Sequence, residues 1–491
     1  YVARLISKGY KVAICEQMED PAKAKGLVKR DIIRVVTPGT VIESSMLQDD
    51  KNNYIASIFL KGGAAGLCFA DVSTGTAHIT ELKREKIAPA VIAELCRYHP
   101  SEVLMNPGLL DCREITAYIK KNMNCAVELV EEERYAPGLV AISLENQFGR
   151  DWAAKTGIAE DGLVRLAMAA LLEYLHDTQI KGVERLKTVI TYNEAQFMSL
   201  SPVTRANLEL TETLRGREKR GTLLWVLDKT STAMGKRMLR SWIEQPLISS
   251  AAINRRLNAV ESLVNQTMQR GDLIEQLHYI ADLERLMTRA VYGSATPKEI
   301  YTMAQTCERL PELRAQAESC SCPELTSLAG QIDLLDDVKT AILAAIDPEA
   351  PSTLKDGGVI AKGYHPEVDE LRSITDQGVP APNLIISERA QLLMPYHKLQ
   401  DAYEEERLGG KAFGSTKSGI APFYSDKYAK IGIQVCDLFH EDRLMERLTA
   451  ALAIKNVLFQ HLYHKPALDA QELFQQLLAL REEIRPYVGD A

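Results

Sequence analysis

The order of apolar and polar residues predicts a chain that begins with strands and continues as long helices. Over the first 150 residues, short runs alternate between apolar and polar positions, as expected for strands. The strand-like runs lie at 10–15, 32–36, 54–60, 66–75, 76–80, 102–105 and 126–130. Helical spacing over 1–9 and 87–98 accompanies them, so the region to about 150 is predicted to be α/β.

A helical period dominates from Gly162 to about residue 375. Leu163, Leu166, Leu171 and Leu175 lie on one predicted helix face. Further helices are predicted over 253–264, 277–290 and 297–310. Long helices with few glycines favour a scaffold or lever over a catalytic barrel.

The last quarter of the chain mixes loop-forming and helical segments. Stretches rich in glycine or proline at 378–382 and 409–419 predict turns, and an acidic helical segment at 401–407 lies between them. An amphipathic helix is predicted over 469–485, where Pro486 ends it.

The composition is that of a globular protein with several domains. The chain has 491 residues, 46% hydrophobic and 25% charged, which excludes a disordered chain or a fibre and predicts about three to five domains. It contains no apolar run long enough to span a membrane. The nine cysteines are an odd number in mostly apolar contexts, so a reducing, cytoplasmic location is predicted. Cys320 and Cys322 are a close pair predicted to lie in a solvated loop.

Positive charge is concentrated near the start of the chain. The formal net charge is −8, yet residues 1–40 hold eight Lys+Arg against four Asp+Glu, so the remainder carries −12. Candidate contacts to a DNA backbone are Lys23, Lys25, Lys29, Arg30 and Arg34. Cations beside turns are what a phosphate chain requires. On charge alone, nucleic-acid contact and a solvated basic loop without a partner are equally supported.

Motifs for nucleotide hydrolysis are incomplete. The stretch 409–411 (GGK) has Glu405 where a phosphate loop needs its first glycine, and Ala412 where it needs a hydroxyl. The stretch 235–237 has Arg237 in place of that hydroxyl. Neither a cofactor site nor an enzymatic activity is therefore predicted for this chain.

Two positions have a partial pattern for metal binding. Asp71 is where a ribonuclease-H-like nuclease would carry a metal-binding carboxylate, but the spacing singles out no partner acid, so a role in the turn at 73–75 is favoured. His461 and His464 have the spacing of one helical turn but lack the glutamate of a metalloprotease motif. An exposed helix face is the favoured interpretation of that pair.

Several motifs resemble the MutS family of DNA mismatch repair proteins, in that family's order. The runs 12–21 (VAICEQMEDP) and 34–40 (RVVTPGT) resemble the end of its mismatch-binding domain, and 69–75 (FADVSTG) resembles its connector domain. Motifs similar to its helical core and to the approach to its DNA clamp lie at 204–210, 221–228, 234–240, 282–286, 357–360 and 371–372. The resemblance covers residues 1 to about 375.

The resemblance implies a multidomain α/β plus all-α fold. Its parts would be a small basic α+β segment, a ribonuclease-H-like connector and a long-helix core with a clamp-like insertion. The predicted ranges are 1–52 for the mismatch-binding part, 53–160 for the connector, 161–375 for the core, 376–465 for the clamp position and 466–491 for a returning core helix. No family motif is recognised in the clamp position, for which a divergent clamp and a frame-shifted segment are both hypotheses.

Two structural expectations concern the core motifs. The motif 221–228 is predicted to bury four apolar side chains, Leu223, Leu224, Val226 and Leu227. Gly235 is predicted to allow close packing between helices.

The resemblance also implies a function, namely recognition of mispaired double-stranded DNA and transmission of its state to an ATPase domain. ATP and magnesium are implied for the intact protein, as are a homodimer and a MutL-like partner, and no membrane is. The family's base-wedging motif would lie upstream of Tyr1 and its phosphate loop beyond Ala491, so a fragment is expected. Two other hypotheses stay open: a metal-dependent nuclease that uses Asp71, and a protein-interaction scaffold without DNA contact.

Overall fold

The fold consists of two compact units. A computed structural model describes residues 1–17, 30–178, 183–354, 357–376, 385–408 and 417–489. The first unit is Tyr1–Pro366 and the second is Glu367–Ala491. Among the described residues, no helix is both long enough and apolar enough to cross a membrane.

A short hairpin segment begins the first unit. Helix α1 (Val2–Ile6) leads into strand β1 (Val12–Gln17), which pairs antiparallel with β2 (Arg30–Val36). Ile6 and Val36 belong to a small core of this segment alone. The helix and two strands predicted from the sequence are confirmed here.

A six-stranded sheet forms the centre of the first unit. Its strands are β3 (Ile55–Lys61), β4 (Ala64–Asp71), β5 (Thr76–Lys83), β6 (Glu102–Met105), β7 (Ala126–Leu129) and β8 (Thr188–Thr191). Their spatial order is β7-β6-β3-β4-β5-β8. The pairs β3-β4 and β4-β5 are antiparallel and form a meander, and the other neighbours are parallel.

Helices cover both faces of this sheet. One face carries α2 (Ile87–Tyr98) and α3 (Arg113–Asn122). The other carries α4 (Pro137–Phe148), α5 (Trp152–Thr156) and α6 (Val164–Thr178). Because both sides are covered, the central strands are nearly continuous in apolar residues, and every residue of β4 after the first is buried.

Two elements after residue 161 belong to the sheet-containing part. The sequence pattern instead predicts that residues from 161 onward belong to the helical core. Helix α6 packs on β3 and β4, and β8 pairs with β5. Thr188 of β8 pairs with Thr76 of β5, more than a hundred residues earlier. Local periodicity carries no information about such distant partners, which explains the difference.

The rest of the first unit is helical. Its helices are α7 (Pro202–Asn207), α8 (Leu223–Leu227), α9 (Ala233–Glu244), α10 (Ser250–Asn265), α11 (Thr267–His278), α12 (Leu283–Val291), α13 (Pro297–Ser319), α14 (Pro323–Gly330) and α15 (Asp336–Ala345). Side chains cap several of them, as Thr296 and Glu299 do in a capping box at the start of α13.

Two helix bounds differ from the prediction. A single helix over 277–290 is wrong, because α11 ends at His278 and Asp282 then caps α12 by accepting from the backbone N–H of Arg285. Helix α13 continues beyond the predicted end, past Pro311, to Ser319.

Burial in α8 is also less than predicted. Leu224 is buried, but Leu223, Val226 and Leu227 are 44%, 57% and 50% exposed, so the predicted burial of those three side chains is wrong. An apolar run is buried on every side only when neighbours cover every side, and only one side of this five-residue helix is covered.

The close cysteine pair and Gly235 need correction too. Cys320 and Cys322 are only 1% and 4% exposed, so the solvated loop is wrong; they lie between α13 and α14, which pack together. A Cβ added to Gly235 would lie 2.9 Å from Thr232 Oγ1, the cap of its own helix, so the close neighbour is not a second helix.

The second unit is a helical body with its own core. Its elements are α16 (Pro366–Asp376), β9 (Ile386–Ser387), α17 (Pro395–Leu408), α18 (Ile420–Tyr428), α19 (Glu441–Val457), α20 (Ala470–Ile484) and β10 (Val488–Gly489). Tyr396 and Phe459 are the largest side chains in a core shared by α17, α19 and α20. Asp469 caps α20, which confirms the predicted terminal helix. The predicted turn at 378–382, and most of the one at 409–419, lie outside the described residues.

A buried ionic group stands inside this core. Asp426 lies 2.7 Å from Lys455 Nζ and 3.0 Å from His397 Nε2, and all three side chains are at most 4% exposed. The backbone N–H of Met394 donates to His397 Nδ1, so the imidazole donates its Nε2 proton to Asp426. Burial alone would raise the pKa of Asp426, but these two partners hold it below 3.8.

Candidate coupling site at the polar linker

A polar linker, residues 48–53 (QDDKNN), joins the hairpin segment to β3. It has no apolar side chain to bury, so its path depends on hydrogen bonds to its backbone and side chains. These bonds come from the sheet on one side and from the helical region on the other. All of these elements belong to the first unit.

Arg285 binds the backbone of the polar linker at two points. Its guanidinium donates to the carbonyl of Gln48 at 2.9 Å and to that of Lys51 at 2.7 Å. The side chain is only 3% exposed. Helix α12 begins two residues before Arg285 and so fixes this planar double donor against the linker.

Arg237 of α9 connects the linker contact to the start of α12. Its two terminal nitrogens lie 2.7 and 2.8 Å from the two carboxylate oxygens of Asp282, and one of them also lies 2.7 Å from Glu284. It donates to the carbonyl of Asp49 at 3.4 Å. The side chain is 4% exposed, so this is a buried, bidentate ion pair.

Lys219 holds a third point of the linker. Its Nζ lies 2.7 Å from Asp50 and 2.8 Å from Asp228, which follows α8. One ammonium therefore joins the linker to the helical region by two ion pairs.

Asp71 holds the linker from the side of the sheet. Its carboxylate, fully buried, accepts from Asn52 Nδ2 at 2.8 Å, from the Asn53 N–H at 3.2 Å and from the N–H and hydroxyl of Ser73. These donors engage both oxygens. No group of three or more His, Cys, Asp or Glu that could hold a metal is present in the described part of the chain. This environment supports a structural Asp71 and disfavours a metal-dependent nuclease.

A second carboxylate, Glu102 of β6, fixes the turn that precedes the linker. It accepts from Thr37 Oγ1 at 2.5 Å, from the Gly39 N–H at 3.0 Å and from the Tyr174 hydroxyl at 2.5 Å. A Cβ on Gly39 would lie 2.8 Å from the side chain of Ile55, so only glycine fits this approach.

The electrostatics of the site favour its charged form. Burial alone would raise the pKa values of Asp282, Asp50 and Asp228, but Arg237 outweighs burial at Asp282 and Lys219 does so at the other two, so all three pKa values lie below 3.8. Burial would lower the pKa of Lys219, yet its two carboxylates raise it.

Acid should therefore weaken this site. A carboxyl with a lower pKa in the folded state stabilises the fold above its unfolded value, near 3.8, and this contribution is lost as pH falls through the folded value. We expect Lys219→Met to destabilise the protein at pH 7, and the difference from the unchanged protein to shrink below pH 3.8. Urea unfolding at several pH values measures both.

Lys155→Met is the matched control for that measurement. Lys155 pairs with Asp151 on the surface, where both side chains are more than half exposed. Its Nζ also donates to the carbonyl of Phe148, but since both charged side chains are exposed, its removal should cost less than about 1 kcal/mol at any pH. A Lys219→Met difference that stayed constant down to pH 2 would contradict the assignment of the low pKa values to Lys219.

The candidate DNA contacts have different environments. Lys23, Lys25 and Lys29 lie outside the described residues. Arg30 is exposed at the start of β2. Arg34 is largely buried: it lies 2.7 Å from Glu43, donates to the carbonyl of Thr40, and stands 5.9 Å from the ring of Tyr292. The same strand thus holds one exposed cation and one that is paired inside the protein.

The glycine-containing stretch at 235–237 does not fit a nucleotide. The N–H of Gly235 bonds to the capping Thr232, and Arg237 is bound to two carboxylates. A phosphate cradle needs free backbone N–H groups and a hydroxyl for magnesium. The other stretch, 409–411, lies outside the described residues.

The paired histidines also differ from their predicted setting. His461 lies in a π-helical turn, Leu458–Leu462, which ends before His464. His464 has a φ of 55°, so the two do not share a helix face, and that prediction is wrong for His464.

Sequence reasoning did not identify Arg237 and Arg285 as linker contacts. Both lie in motifs of the predicted core, 234–240 and 282–286, but the hydrophobic pattern gives no sign of a buried cation. The available signal was the polar linker itself, since six polar residues between two folded segments need donors from elsewhere.

These contacts define a multidomain protein in which buried cations join consecutive segments of the chain. Family models match the same segments in order: MutS domain I over 1–45, MutS domain II over 53–187 and MutS domain III over 203–487. The polar linker lies where the first match gives way to the second.

Curated relatives carry the same family name. The DNA mismatch repair protein MutS of Ruminiclostridium cellulolyticum is 41% identical over 378 residues, which is 77% of this chain and 43% of the relative. That of Alkaliphilus metalliredigens is 42% identical over 380 residues, with the same shares. That of Caldanaerobacter subterraneus subsp. tengcongensis is 36% identical over 438 residues, 88% of this chain and 49% of the relative.

The chain therefore belongs to the MutS family. It spans less than half the length of the curated relatives it matches. The mixed α/β fold with a large helical part agrees with the family resemblance of the sequence motifs.

Proposed function

We propose that the protein acts in DNA mismatch repair, where it takes part in recognising mispaired double-stranded DNA and transmits the bound state through its helical region. The observation that carries this proposal is the order of the three family matches, with the linker between the first two bound by Arg237 and Arg285 of the third. Relatives with the name DNA mismatch repair protein MutS support the process.

The polar linker is the proposed point of transmission. A displacement of the hairpin segment would move the carbonyls of Gln48 and Lys51, which Arg285 holds directly. Arg285 lies in the first turn of α12, and Arg237 ties the start of the same helix to α9. Helices joined by short ionic contacts give such a displacement a contiguous physical path into the helical region.

The DNA contacts are proposed at the basic cluster of the hairpin segment. Lys23, Lys25, Lys29 and Arg30 would neutralise phosphates. Arg34 would contribute less, because Glu43 and a backbone carbonyl already engage its guanidinium. We assign no residue of this chain to direct contact with the mispaired bases.

The finer architecture is part of the same proposal. The six-stranded sheet, with its antiparallel meander and parallel flanking strands, would be a ribonuclease-H-like connector without nuclease chemistry. Residues 376–465 would hold a clamp-like insertion, since α17 and α19 form a helical body whose core α20 shares. Hydrogen exchange over this range tests that assignment, because a folded clamp protects its amides.

The remaining features concern the intact protein. We propose a cytoplasmic homodimer that binds ATP and magnesium through residues other than those of this chain and recruits a MutL-like partner. This chain alone would hydrolyse no ATP, in line with the poor fit of 235–237 to a phosphate cradle.

Binding to a duplex with one mispair, compared with the matched duplex, tests the proposed function. We expect a preference for the mispair that falls as salt rises. Changing Lys23, Lys25 and Lys29 together to Gln should weaken binding and reduce the slope of log K against log salt by about 3, since each lost phosphate contact removes about 0.9. Fluorescence anisotropy over a range of salt concentrations measures the slope.

An equal change of charge elsewhere controls for the net charge of the chain. Lys61, Lys120 and Lys121 are exposed on the sheet-containing part, and their joint change to Gln should leave the slope unaltered. Equal slopes for both triple variants would remove the basic cluster from the interface, and equal affinity for mispaired and matched duplexes would remove the proposed function.

A further inference from the structure

Helix α18 places an apolar stripe on the surface instead of in the core. Ile420, Tyr424 and Tyr428, one turn apart from each other, are 49%, 46% and 78% exposed. The opposite side of the helix is buried through Pro422 and Asp426. Tyrosines at three- to four-residue spacing usually face a core, so their outward position calls for a partner.

The helix that carries the stripe is firmly held. Asp426 makes its buried ion pair with Lys455, and Phe423 packs edge-on against His397. At the helix start, a Cβ on Gly419 would lie 2.7 Å from the backbone of His397. The two exposed rings are therefore presented by a fixed backbone.

The rings and the charges around them suit nucleic-acid bases. The centroids of Tyr424 and Tyr428 are 6.3 Å apart with planes 25° from parallel, and Lys427 Nζ lies 5.7 Å from the Tyr424 centroid. Over 417–436 the charged residues are three lysines and Asp426, whose charge Lys455 offsets inside the core. This surface is cationic on a chain whose net charge is −8.

Of the four acids in the nearest acidic run, 401–407, two are paired with cations, and Asp401 accepts from the Gly419 N–H at the start of α18. In α17, Glu404 pairs with Arg407, and Glu406 pairs with Lys465. Lys427, in the last turn of α18, and Lys430, two residues after the helix, are both exposed.

We propose that unpaired bases of single-stranded DNA stack on Tyr424 and Tyr428, while Lys427 and Lys430 contact the adjoining phosphates. Stacking on exposed aromatic rings beside lysines is the general chemistry of single-strand binding, and a duplex keeps its base faces covered. The inference rests on the proposed function, because that function is the reason for choosing DNA as the partner. It goes beyond that function by proposing that the protein binds single-stranded as well as double-stranded DNA.

Anisotropy of a labelled oligo(dT) with the whole chain tests the proposal. We expect the double change Tyr424→Leu and Tyr428→Leu to weaken oligo(dT) binding roughly tenfold or more, because stacking on each base is lost. The matched double change to Phe keeps the rings and should stay within about twofold of the unchanged protein. Since both side chains are exposed, neither variant removes core packing.

The lysines have a separate readout. Changing Lys427 and Lys430 to Gln should reduce the single-strand salt slope by about 1.4, from about 0.7 per phosphate. No binding of oligo(dT) at low salt, unaltered binding by the Leu variant, or equal loss in the Phe and Leu variants would each overturn the inference. Self-association abolished by the Leu change, without single-strand binding, would assign the stripe to a second copy of the chain instead.

The same Leu variant separates this inference from the proposed function. Its preference for a mispaired duplex should equal that of the unchanged protein. If the Leu variant loses only its oligo(dT) binding, the inference is supported. If the unchanged protein shows no preference for the mispair but its oligo(dT) binding still depends on the tyrosines, only the proposed function is contradicted.

Discussion

Replacing Arg237 by Met is expected to lower the free energy of unfolding by about 3 kcal/mol, near the lower end of the cost of breaking a buried ion pair. The change leaves Asp282 without its bidentate partner while its side chain is 18% exposed, and it also frees Glu284, which solvent reaches more easily. Methionine fills much of the space of the arginine stem, so the effect comes mainly from the weaker compensation of the Asp282 charge, near which Arg285 Nε remains at 3.9 Å. Urea unfolding followed by tryptophan fluorescence measures it, because Trp225 and Trp242 lie in α8 and α9.

Two further variants define the cause. Arg314→Met removes a surface pair with Glu318, both side chains being 39–45% exposed, and should cost less than about 1 kcal/mol. Arg237→Lys keeps the charge but not the planar fork that reaches two carboxylates and a carbonyl, so its stability should lie between those of the Met variant and the unchanged protein. Equal stabilities of the Met variants at 237 and 314 would mean that the buried contacts at the linker contribute little.

The sequence predicts well those strands and helices that have a clear hydrophobic period and polar residues at both ends. Helix α2 and strand β6 have the predicted bounds, 87–98 and 102–105, because each combines a clear period with polar residues at both ends. The break at residues 279–282 was missed, because the apolar period continues across it. What ends α11 and starts α12 is a hydrogen bond from the N–H of Ala281 to Thr306, 25 residues later, together with the Asp282 cap.

The candidate site was predicted only in part, because its contacts are distant in sequence. The sequence pattern places Asp71 beside a turn at 73–75, and residues 48–53 are all polar. Neither pattern indicates that Arg285 reaches carbonyls more than 230 positions away. Charge counting likewise groups Arg30 with Arg34, although Glu43 neutralises only Arg34. Net charge along a chain predicts where cations are, and only the folded structure tells which of them are already paired.

The contact between α6 and the sheet gives the second large effect, at Gly66 of β4. A Cβ at this position would lie 2.4 Å from the carbonyl carbon and oxygen of Leu163 and 2.5 Å from the N–H nitrogen of Val164. These are backbone atoms, which cannot move as a flexible side chain does. We expect Gly66→Ala to destabilise the protein by about 3 kcal/mol, at the upper end of the usual cost of overpacking. Urea unfolding with circular dichroism measures the change.

The same substitution at Gly271 should have the opposite sign. Gly271 lies inside α11, a Cβ there meets no atom within 4 Å, and its φ is not positive. Gly271→Ala should therefore stabilise the protein by about 0.5–1 kcal/mol, because alanine loses less backbone freedom than glycine in a helix. If Gly66→Ala were as stable as the unchanged protein while Gly271→Ala behaved as expected, the start of α6 would not lie against β4. In that case α6 would not pack on the six-stranded sheet, which the polar linker connects to the hairpin segment.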